Sequence, residues 1–354
     1  GLFVSPTASG KSYMIYVLTR FYRLMDKKIL IIVPTTSLVE QMATDFVDYG
    51  WSMKQIHRIY SGHDRETHKP VVISTWQSLY KLPKKFFKDY GVVFGDEAHL
   101  FKAKSLTNIM EKLTDCPYRF GFTGTLDGTQ THRLVLEGLF SKAEKVITTK
   151  ELMDKNTLAK LNVVCLLLKH KEEESKSIKD SNYIEEIQYL ISNKRRNKFL
   201  YNLCANLKGN TLLLYQMVEK HGLVLYNMCL KLDKDLHFVH GGVDAQEREQ
   251  IRRLTEKSDK SLIIASYGTF STGINIKNIN NVIFASPSKS RIRVLQSIGR
   301  GLRKSETKND VTLYDISDDL SYKNKKNFTL RHFEERINIY NEEEFDYRID
   351  KVNL

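Results

Sequence analysis

The 354-residue sequence is poor in cysteine, and its four cysteines are far apart. Cys116, Cys165, Cys204 and Cys229 form no CxxC pair, so zinc-clip and dithiol redox motifs lack support. They are also too few and too widely spaced for a dense disulfide scaffold. We therefore expect a reducing, intracellular compartment, the cytoplasm.

Long apolar runs are missing as well. The apolar stretches are short, as at residues 29–33 and 163–168, whereas a membrane helix needs about 20 residues. We therefore expect no membrane partner. No signal peptide is visible, and the chain begins at Gly1 without an initiator methionine. From this we expect a fragment whose upstream part is missing.

The charge balance is uneven. Lysine and arginine number 55 against 42 aspartates and glutamates, which gives a net charge of +13. The chain is 41% hydrophobic and 27% charged, a balance that excludes a largely disordered chain. The excess of positive charge favours an anionic partner such as nucleic acid.

Short apolar strands alternate with amphipathic helical segments in two successive series. This alternation predicts an α/β fold with two units, each a mainly parallel sheet flanked by helices. In the first series we predict strands at 29–33, 71–74, 91–94 and 120–122, and helices at 12–25 and 37–49. In the second we predict strands at 211–215, 236–239, 262–265, 281–284 and 311–314, and helices at 218–230 and 245–257.

Residues 5–12, SPTASGKS, lie between an apolar stub and a predicted helix, as a phosphate-binding loop does. In such a loop the backbone N–H groups wrap the phosphates, and Lys11 would reach the β- and γ-phosphates. The Ser12 hydroxyl would bind Mg²⁺. Ser5 stands where the strict pattern has Gly or Ala, and the alternative is a chance strand–loop–helix. The predicted phosphate contacts are Thr7, Ala8, Ser9, Gly10, Lys11 and Ser12.

Two carboxylates, Asp96 and Glu97, follow a predicted buried strand. Groups at the carboxyl end of a parallel strand face the ligand crevice. We predict that Asp96 holds Mg²⁺ and that Glu97 orients and deprotonates the attacking water. The alternative is an exposed acidic turn that caps the next helix.

A glutamine and two arginines lie near the end of the second series, at Gln296, Arg300 and Arg303. On a helix, residues three apart share a face, so both guanidinium groups could stabilise a γ-phosphate in the transition state. The alternative is a basic helix that touches the phosphates of a polymer. Two further basic clusters, at 81–88 and 193–198, could extend a polymer track, although a charge run is more often a solvated face.

Taken together, these blocks resemble the motifs of superfamily 2 helicases of the DExH type. The resemblance spans about residues 1–304, with the blocks in the family order. They are SPTASGKS at 5–12 (motif I), VPTTSLVEQ at 33–41 (Ia), STWQSL at 74–79 (Ib), DEAH at 96–99 (II), TGT at 123–125 (III), YGTFSTGIN at 267–275 (V) and QSIGRGLR at 296–303 (VI).

The resemblance implies two tandem RecA-like domains that share one ATP. It places an ATP-binding domain at 1–150, a connection at 151–180, a C-terminal helicase domain at 181–315 and a helical tail at 316–354. The implied catalytic residues are Lys11, Asp96, Glu97, Gln296, Arg300 and Arg303, with Gly273 and Asn275 also binding ATP. The implied nucleic-acid contacts are Thr35, Thr36, Thr75, Gln77, Thr272 and Gly273, and His99, Thr123 and Thr125 would couple the two sites.

The function implied by the resemblance is ATP- and Mg²⁺-dependent remodelling of branched DNA in recombination and repair. It includes branch migration, fork regression and the removal of RNA–DNA hybrids, all through sequence-independent backbone contacts. The alternatives are the motor of a restriction-type enzyme, an RNA helicase, and a clamp that uses ATP only as a switch. The presence of Glu97 argues against the clamp.

Overall fold

A computed structural model describes the whole chain except residues 7–8, 61–64, 66, 127–128, 270–275, 277, 287–289 and 303–309. For residues 245, 291, 292 and 300 only the backbone is described. The chain divides into two units, Gly1–Thr148 and Thr149–Leu354. Within the described residues each unit contains a sheet of seven parallel strands flanked by helices, so the predicted α/β class is confirmed.

The strands of the first unit pair in the order β3-β4-β2-β5-β6-β1-β7. The central strands β2, β4 and β5 are almost completely buried, as expected where helices cover both faces of a parallel sheet. The strand bounds are β1 (Leu2–Val4), β2 (Lys28–Val33), β3 (Ile56–Ile59), β4 (Val71–Thr75), β5 (Tyr90–Asp96), β6 (Tyr118–Thr123) and β7 (Ala143–Lys145).

The helices of the first unit cover the two faces of its sheet with two separate apolar clusters. One cluster holds Ile15 and Phe46 against one face, and the other holds Leu106 and Phe140 against the opposite face. The helices are α1 (Lys11–Leu24), α2 (Thr36–Asp48), α3 (Trp76–Leu79), α4 (Lys104–Lys112) and α5 (Gln130–Phe140), with 3₁₀ turns at Met53–Gln55, Lys84–Phe87 and Ala98–Lys102.

The strands of the second unit pair in the order β10-β11-β9-β12-β13-β8-β14. They are β8 (Lys160–Lys169), β9 (Thr211–Tyr215), β10 (Asp235–Val239), β11 (Ser261–Ser266), β12 (Asn281–Phe284), β13 (Asp310–Asp319) and β14 (Tyr347–Asn353). The helices are α6 (Thr149–Asp154), α7 (Glu172–Ile178), α8 (Tyr183–Ser192), α9 (Lys194–Asn206), α10 (Leu223–Cys229), α11 (Ala245–Lys257), α12 (Arg291–Gly301) and α13 (Phe328–Glu342), with a π turn at Val218–Gly222.

Two strands of the second sheet lie where we expected a connection and a helical tail. β8 falls within 151–180 and pairs with β13 over ten residues, from Lys160 to Lys169. β14, near the chain end, pairs with β8 and forms an edge of the sheet. In its sequence, YRIDKVN, the apolar–polar alternation breaks at Asp350 and Lys351, and the strand is largely exposed, so it gives a weak strand signal.

Buried ion pairs tie these late elements to the second sheet. On α13, the Arg336 guanidinium donates two hydrogen bonds of 2.8 Å to the Asp315 carboxylate, and both side chains are fully buried. On α9, Arg196 is 1% exposed and pairs at 3.0 Å with Asp318, which also contacts His170. The basic cluster at 193–198 is therefore partly internal and is not a solvated face throughout.

None of the helices in the described part of the chain combines the length and the apolar sequence that crossing a membrane requires.

We predict that Arg336→Met destabilises the protein by about 3–5 kcal/mol, because it leaves the Asp315 charge buried without its partner. Urea unfolding followed by circular dichroism measures this change. The control is Arg331→Met on the same helix, where the arginine is exposed and its guanidinium lies 4.6 Å from the centre of the Phe328 ring; we expect a loss of about 1 kcal/mol or less. Equal effects of the two substitutions would contradict the role given to the buried pair.

Candidate nucleotide-binding site

Three adjacent strands of the first sheet bring the predicted catalytic blocks together. β6 pairs with β1 on one side and with β5 on the other, with Val4 opposite Thr123 and Phe122 opposite Asp96. The Ser5 amide donates a 2.9 Å hydrogen bond to the Thr123 carbonyl, which extends this pairing into the loop. Because all three strands are parallel, their carboxyl ends lie at one edge of the sheet.

The phosphate loop connects β1 to α1 through a glycine that the backbone requires. Gly10 has φ +85°, in the left-handed region that glycine adopts without strain, and α1 begins at the next residue. The Lys11 ammonium donates 3.1 Å hydrogen bonds to the carbonyls of Ser5 and Pro6. The fully buried Ser5 hydroxyl donates at 2.6 Å to Ser9, which accounts for a serine at this position. The predicted contacts Thr7 and Ala8 lie outside the described residues.

The acidic pair adopts an unusual backbone at the end of β5. Glu97 has φ 51° and ψ 50°, a left-handed conformation that costs a residue with a side chain about 1–3 kcal/mol. The Asp96 carboxylate accepts a 3.0 Å hydrogen bond from the Glu97 amide, which steadies this turn. The strain fits a site at which the side chains must take a particular direction.

Burial and the neighbouring Glu97 charge raise the pKa of Asp96 to about 7, while Lys11 acts in the opposite direction. Among the described residues, Lys11 and His99 oppose this shift, but burial and the Glu97 charge outweigh them. Carboxylate and hydroxyl oxygens are ligands that Mg²⁺ prefers. The donor chemistry of Asp96 and Ser12 therefore fits a divalent cation bound together with phosphates.

A chain of polar contacts links the acidic pair to β6. His99 Nδ1 lies 3.0 Å from the Thr123 hydroxyl and 3.3 Å from the Glu97 carboxylate. The Thr123 hydroxyl donates to the Thr125 carbonyl at 3.0 Å, so it accepts its hydrogen bond from His99. The His132 ring contacts the His99 carbonyl at 2.9 Å. His132 belongs to no motif, and sequence reasoning missed it.

The nucleic-acid candidates of the first unit lie on a neighbouring part of the same edge. β2 pairs with β4, with Val33 opposite Thr75, and the Gln77 amide donates to the Pro34 carbonyl at 3.4 Å. Thr35 caps α2, and Thr75 is only 4% exposed. The Thr35 and Thr75 side chains therefore make hydrogen bonds within the loops that follow β2 and β4, whereas Thr36 and Gln77 are exposed to solvent.

The structure describes only some of the predicted ATP and nucleic-acid contacts of the second unit. Gln296 is half-buried on α12, and the Arg300 backbone belongs to the same helix. Tyr267, the first residue of the motif V block, was given no role from the sequence; it is buried, and its ring lies 5.7 Å from the Arg293 guanidinium. The remaining candidates, Thr272, Gly273, Asn275 and Arg303, lie outside the described residues.

A phosphate loop and an acidic pair at the carboxyl ends of two parallel strands, β1 and β5, on either side of β6, define a nucleotide-binding unit of the RecA-like class. Residues 1–128 match the family model described as "Type III restriction enzyme, res subunit", and residues 195–305 match "Helicase conserved C-terminal domain". The chain is 35% identical to the ATP-dependent DNA helicase UvsW of Enterobacteria phage T4, with 99% of this chain and 73% of that protein aligned.

Two solved structures extend the comparison. The crystal structure of T4 UvsW matches with a TM-score of 0.50 and 33% identity, over 99% of this chain and 73% of that one. The Hef helicase domain of Pyrococcus furiosus matches with a TM-score of 0.57 at 14% identity, over 89% and 92% of the two chains, and shows the fold alone. The chain belongs to the superfamily 2 helicases, which confirms the predicted family and enzyme class. It therefore uses a nucleotide and acts on nucleic acid.

We predict that Asp96→Asn raises the melting temperature of the metal-free protein at about pH 8 but not at about pH 4. With its pKa raised, folded Asp96 holds its proton more tightly than the unfolded chain does, so it makes folding less favourable as pH rises from about 4 to 7. Asparagine removes this penalty. Calorimetry at both pH values measures the change, with the exposed Asp115→Asn as the control. No stabilisation at the higher pH would contradict the electrostatic account.

Proposed function

We propose that the chain is an ATP-dependent DNA helicase that hydrolyses ATP at the carboxyl edge of its first sheet and remodels branched DNA. The observation that carries the proposal is that the loop with Lys11 and the carboxylates of Asp96 and Glu97 lie at the carboxyl ends of β1 and β5, on the same edge of the sheet. Its similarity to the phage T4 DNA helicase extends over nearly the whole chain and supports DNA as the polymer.

In the proposed reaction, the phosphate loop and Lys11 hold the triphosphate. Glu97 accepts a proton from water as the water oxygen attacks the γ-phosphorus, and ADP and phosphate leave. Asp96 and Ser12 would hold Mg²⁺, which neutralises charge on the phosphates. The strained Glu97 backbone favours one direction of the carboxylate and so prepares it for this role.

Roles in the reaction are also proposed for residues of the second unit. Arg300 and Arg303 would stabilise the γ-phosphate charge in the transition state, with Gln296 beside them and Gly273 and Asn275 on the nucleotide. Loss of the γ-phosphate would release these contacts, which provides a two-state element. The supporting observation is that Gln296 and Arg300 share one helix, α12.

Coupling between nucleotide and nucleic acid is proposed to pass through His99, Thr123 and Thr125. His99 lies 3.3 Å from the Glu97 carboxylate and is hydrogen-bonded to Thr123 of β6, and the Thr123 carbonyl accepts a hydrogen bond from the Ser5 amide of the phosphate loop. On the same edge Thr36 and Gln77 would contact the backbone phosphates, while Thr35 and Thr75 support their loops. Thr272 and Gly273 are proposed to make the corresponding contacts from the second unit.

We predict that Glu97→Gln lowers ATP turnover by about 10²–10⁴-fold, because an amide cannot accept the proton of the attacking water. ATP binding should be retained, since Lys11 and the phosphate loop are unchanged. Steady-state phosphate release and the binding of a fluorescent ATP analogue measure the two effects. Turnover at the wild-type rate would contradict the role proposed for Glu97.

An ATPase titration with single-stranded DNA, duplex DNA, forked DNA and RNA tests the choice of polymer. We expect forked or duplex DNA to stimulate turnover most. Stimulation by RNA alone would support an RNA helicase instead. Indifference to every nucleic acid would contradict the helicase mechanism and favour a nucleotide-switched clamp.

A further inference from the structure

The two basic clusters of the sequence differ in how their charges are used. In the cluster at 193–198, Arg196 is buried against Asp318 and Arg195 pairs with Glu174. In the cluster at 81–88, all four lysines are exposed, and none forms an ion pair with a described residue. These four are Lys81, Lys84, Lys85 and Lys88, which we call the lysine run.

The lysine run has little acidic compensation close to it in sequence. Between residues 81 and 95 the acidic residue is Asp89, so the segment carries a charge of 4 − 1 = +3. Glu111 on α4, a helix that packs against α3, is another carboxylate on a neighbouring element. Four ammonium groups in one short segment therefore form a surface that attracts a polyanion.

The backbone beneath the lysine run is fixed by the core. Leu82 is 7% exposed and Phe87 is 1% exposed, both within the apolar cluster of that face. The Lys112 ammonium on α4 donates to the carbonyls of Tyr80 at 2.7 Å and Leu82 at 2.8 Å. Because the backbone is already ordered, binding through these lysines requires ordering of the side chains alone.

The lysine run belongs to the connection that crosses from the carboxyl edge of the first sheet, where the proposed nucleic-acid contacts lie, back to its amino edge. The segment leaves the carboxyl end of β4 at Thr75 and reaches the amino end of β5 at Tyr90. The four lysines lie in the part of this crossover that follows α3, on and beside the 3₁₀ turn at Lys84–Phe87. At the far end, the Lys28 ammonium lies 5.1 Å from the centre of the Tyr90 ring and adds a further positive charge.

The aromatic residues of this segment do not form a stacking platform for bases. Trp76, Tyr80 and Phe86 are partly buried and pack against the apolar cluster beneath them. Single strands are usually bound by bases stacked on exposed rings, whereas a duplex is bound through its phosphates. The chemistry of this surface therefore favours a duplex.

We propose that the lysine run is a phosphate-binding track for a duplex arm of the DNA on which the motor acts. The inference rests on the proposed function and extends it to residues outside the helicase motifs. Each ammonium group neutralises a backbone phosphate without reading the sequence, and the track holds the arm against the flank of the first sheet.

The test replaces Lys81, Lys84, Lys85 and Lys88 together by glutamine in the full chain. Anisotropy of a labelled blunt duplex, measured between about 50 and 200 mM salt, gives the affinity and its salt dependence. We expect the affinity at low salt to fall about tenfold or more, and the slope of log affinity against log salt to become shallower by about 0.9 for each phosphate that is no longer neutralised. A single-stranded oligonucleotide should lose less affinity than the duplex.

The matched control replaces four other exposed lysines by glutamine, which lowers the net charge equally. They are Lys54, Lys142, Lys145 and Lys155. The control should keep the wild-type salt slope, and both variants should keep the wild-type melting temperature because all eight side chains are exposed. If the two variants have equal duplex affinities and equal slopes of log affinity against log salt, the proposed track is wrong.

Stimulation of the wild-type ATPase by nucleic acid shows which proposal has failed, the phosphate-binding track or the helicase function. If DNA stimulates the wild type and the two variants still bind duplex equally, the track is wrong and the helicase function stands. If no nucleic acid stimulates the wild type, the proposed function itself fails.

Discussion

The parallel pairing of β5, β6 and β1 is the constraint on which the rest of the site depends. Val4 lies opposite Thr123, and Phe122 lies opposite Asp96, so the loop at 5–12, the acidic pair and Thr123 lie at one sheet edge. A slip of one residue in either pairing would turn the side chains of a strand to the other face. The buried apolar residues of both sheet faces hold this register.

The site also holds features that are unfavourable without a ligand. Glu97 has a left-handed backbone, and the pKa of the Asp96 carboxyl beside it is raised by burial and by the Glu97 charge. Such strain persists where the surrounding structure enforces it. In the second unit, by contrast, the buried charges of Arg336 and Arg196 meet carboxylates at close range. There the charges join elements of the fold, whereas for the acidic pair of the first unit the proposed partner is a ligand.

Much of this arrangement could be predicted from the sequence because its signals are local. The GKS sequence at residues 10–12 and the carboxylates after β5 are encoded by neighbouring residues, and the predicted helix at 245–257 agrees with α11. The partner of Arg196 lies 122 positions away, so a basic cluster gave no sign of a buried ion pair. His132 and the edge strand β14 were missed for the same reason, since distant packing defines them.

Isothermal titration of a non-hydrolysable ATP analogue into the wild type and Lys11→Met tests the central claim, that this sheet edge binds the triphosphate, most directly. The account predicts that the substitution weakens the affinity at least tenfold, because the ammonium that reaches the phosphates is removed while the loop backbone remains. Unchanged affinity in a variant with the wild-type melting temperature would contradict the account, because the nucleotide would then bind elsewhere.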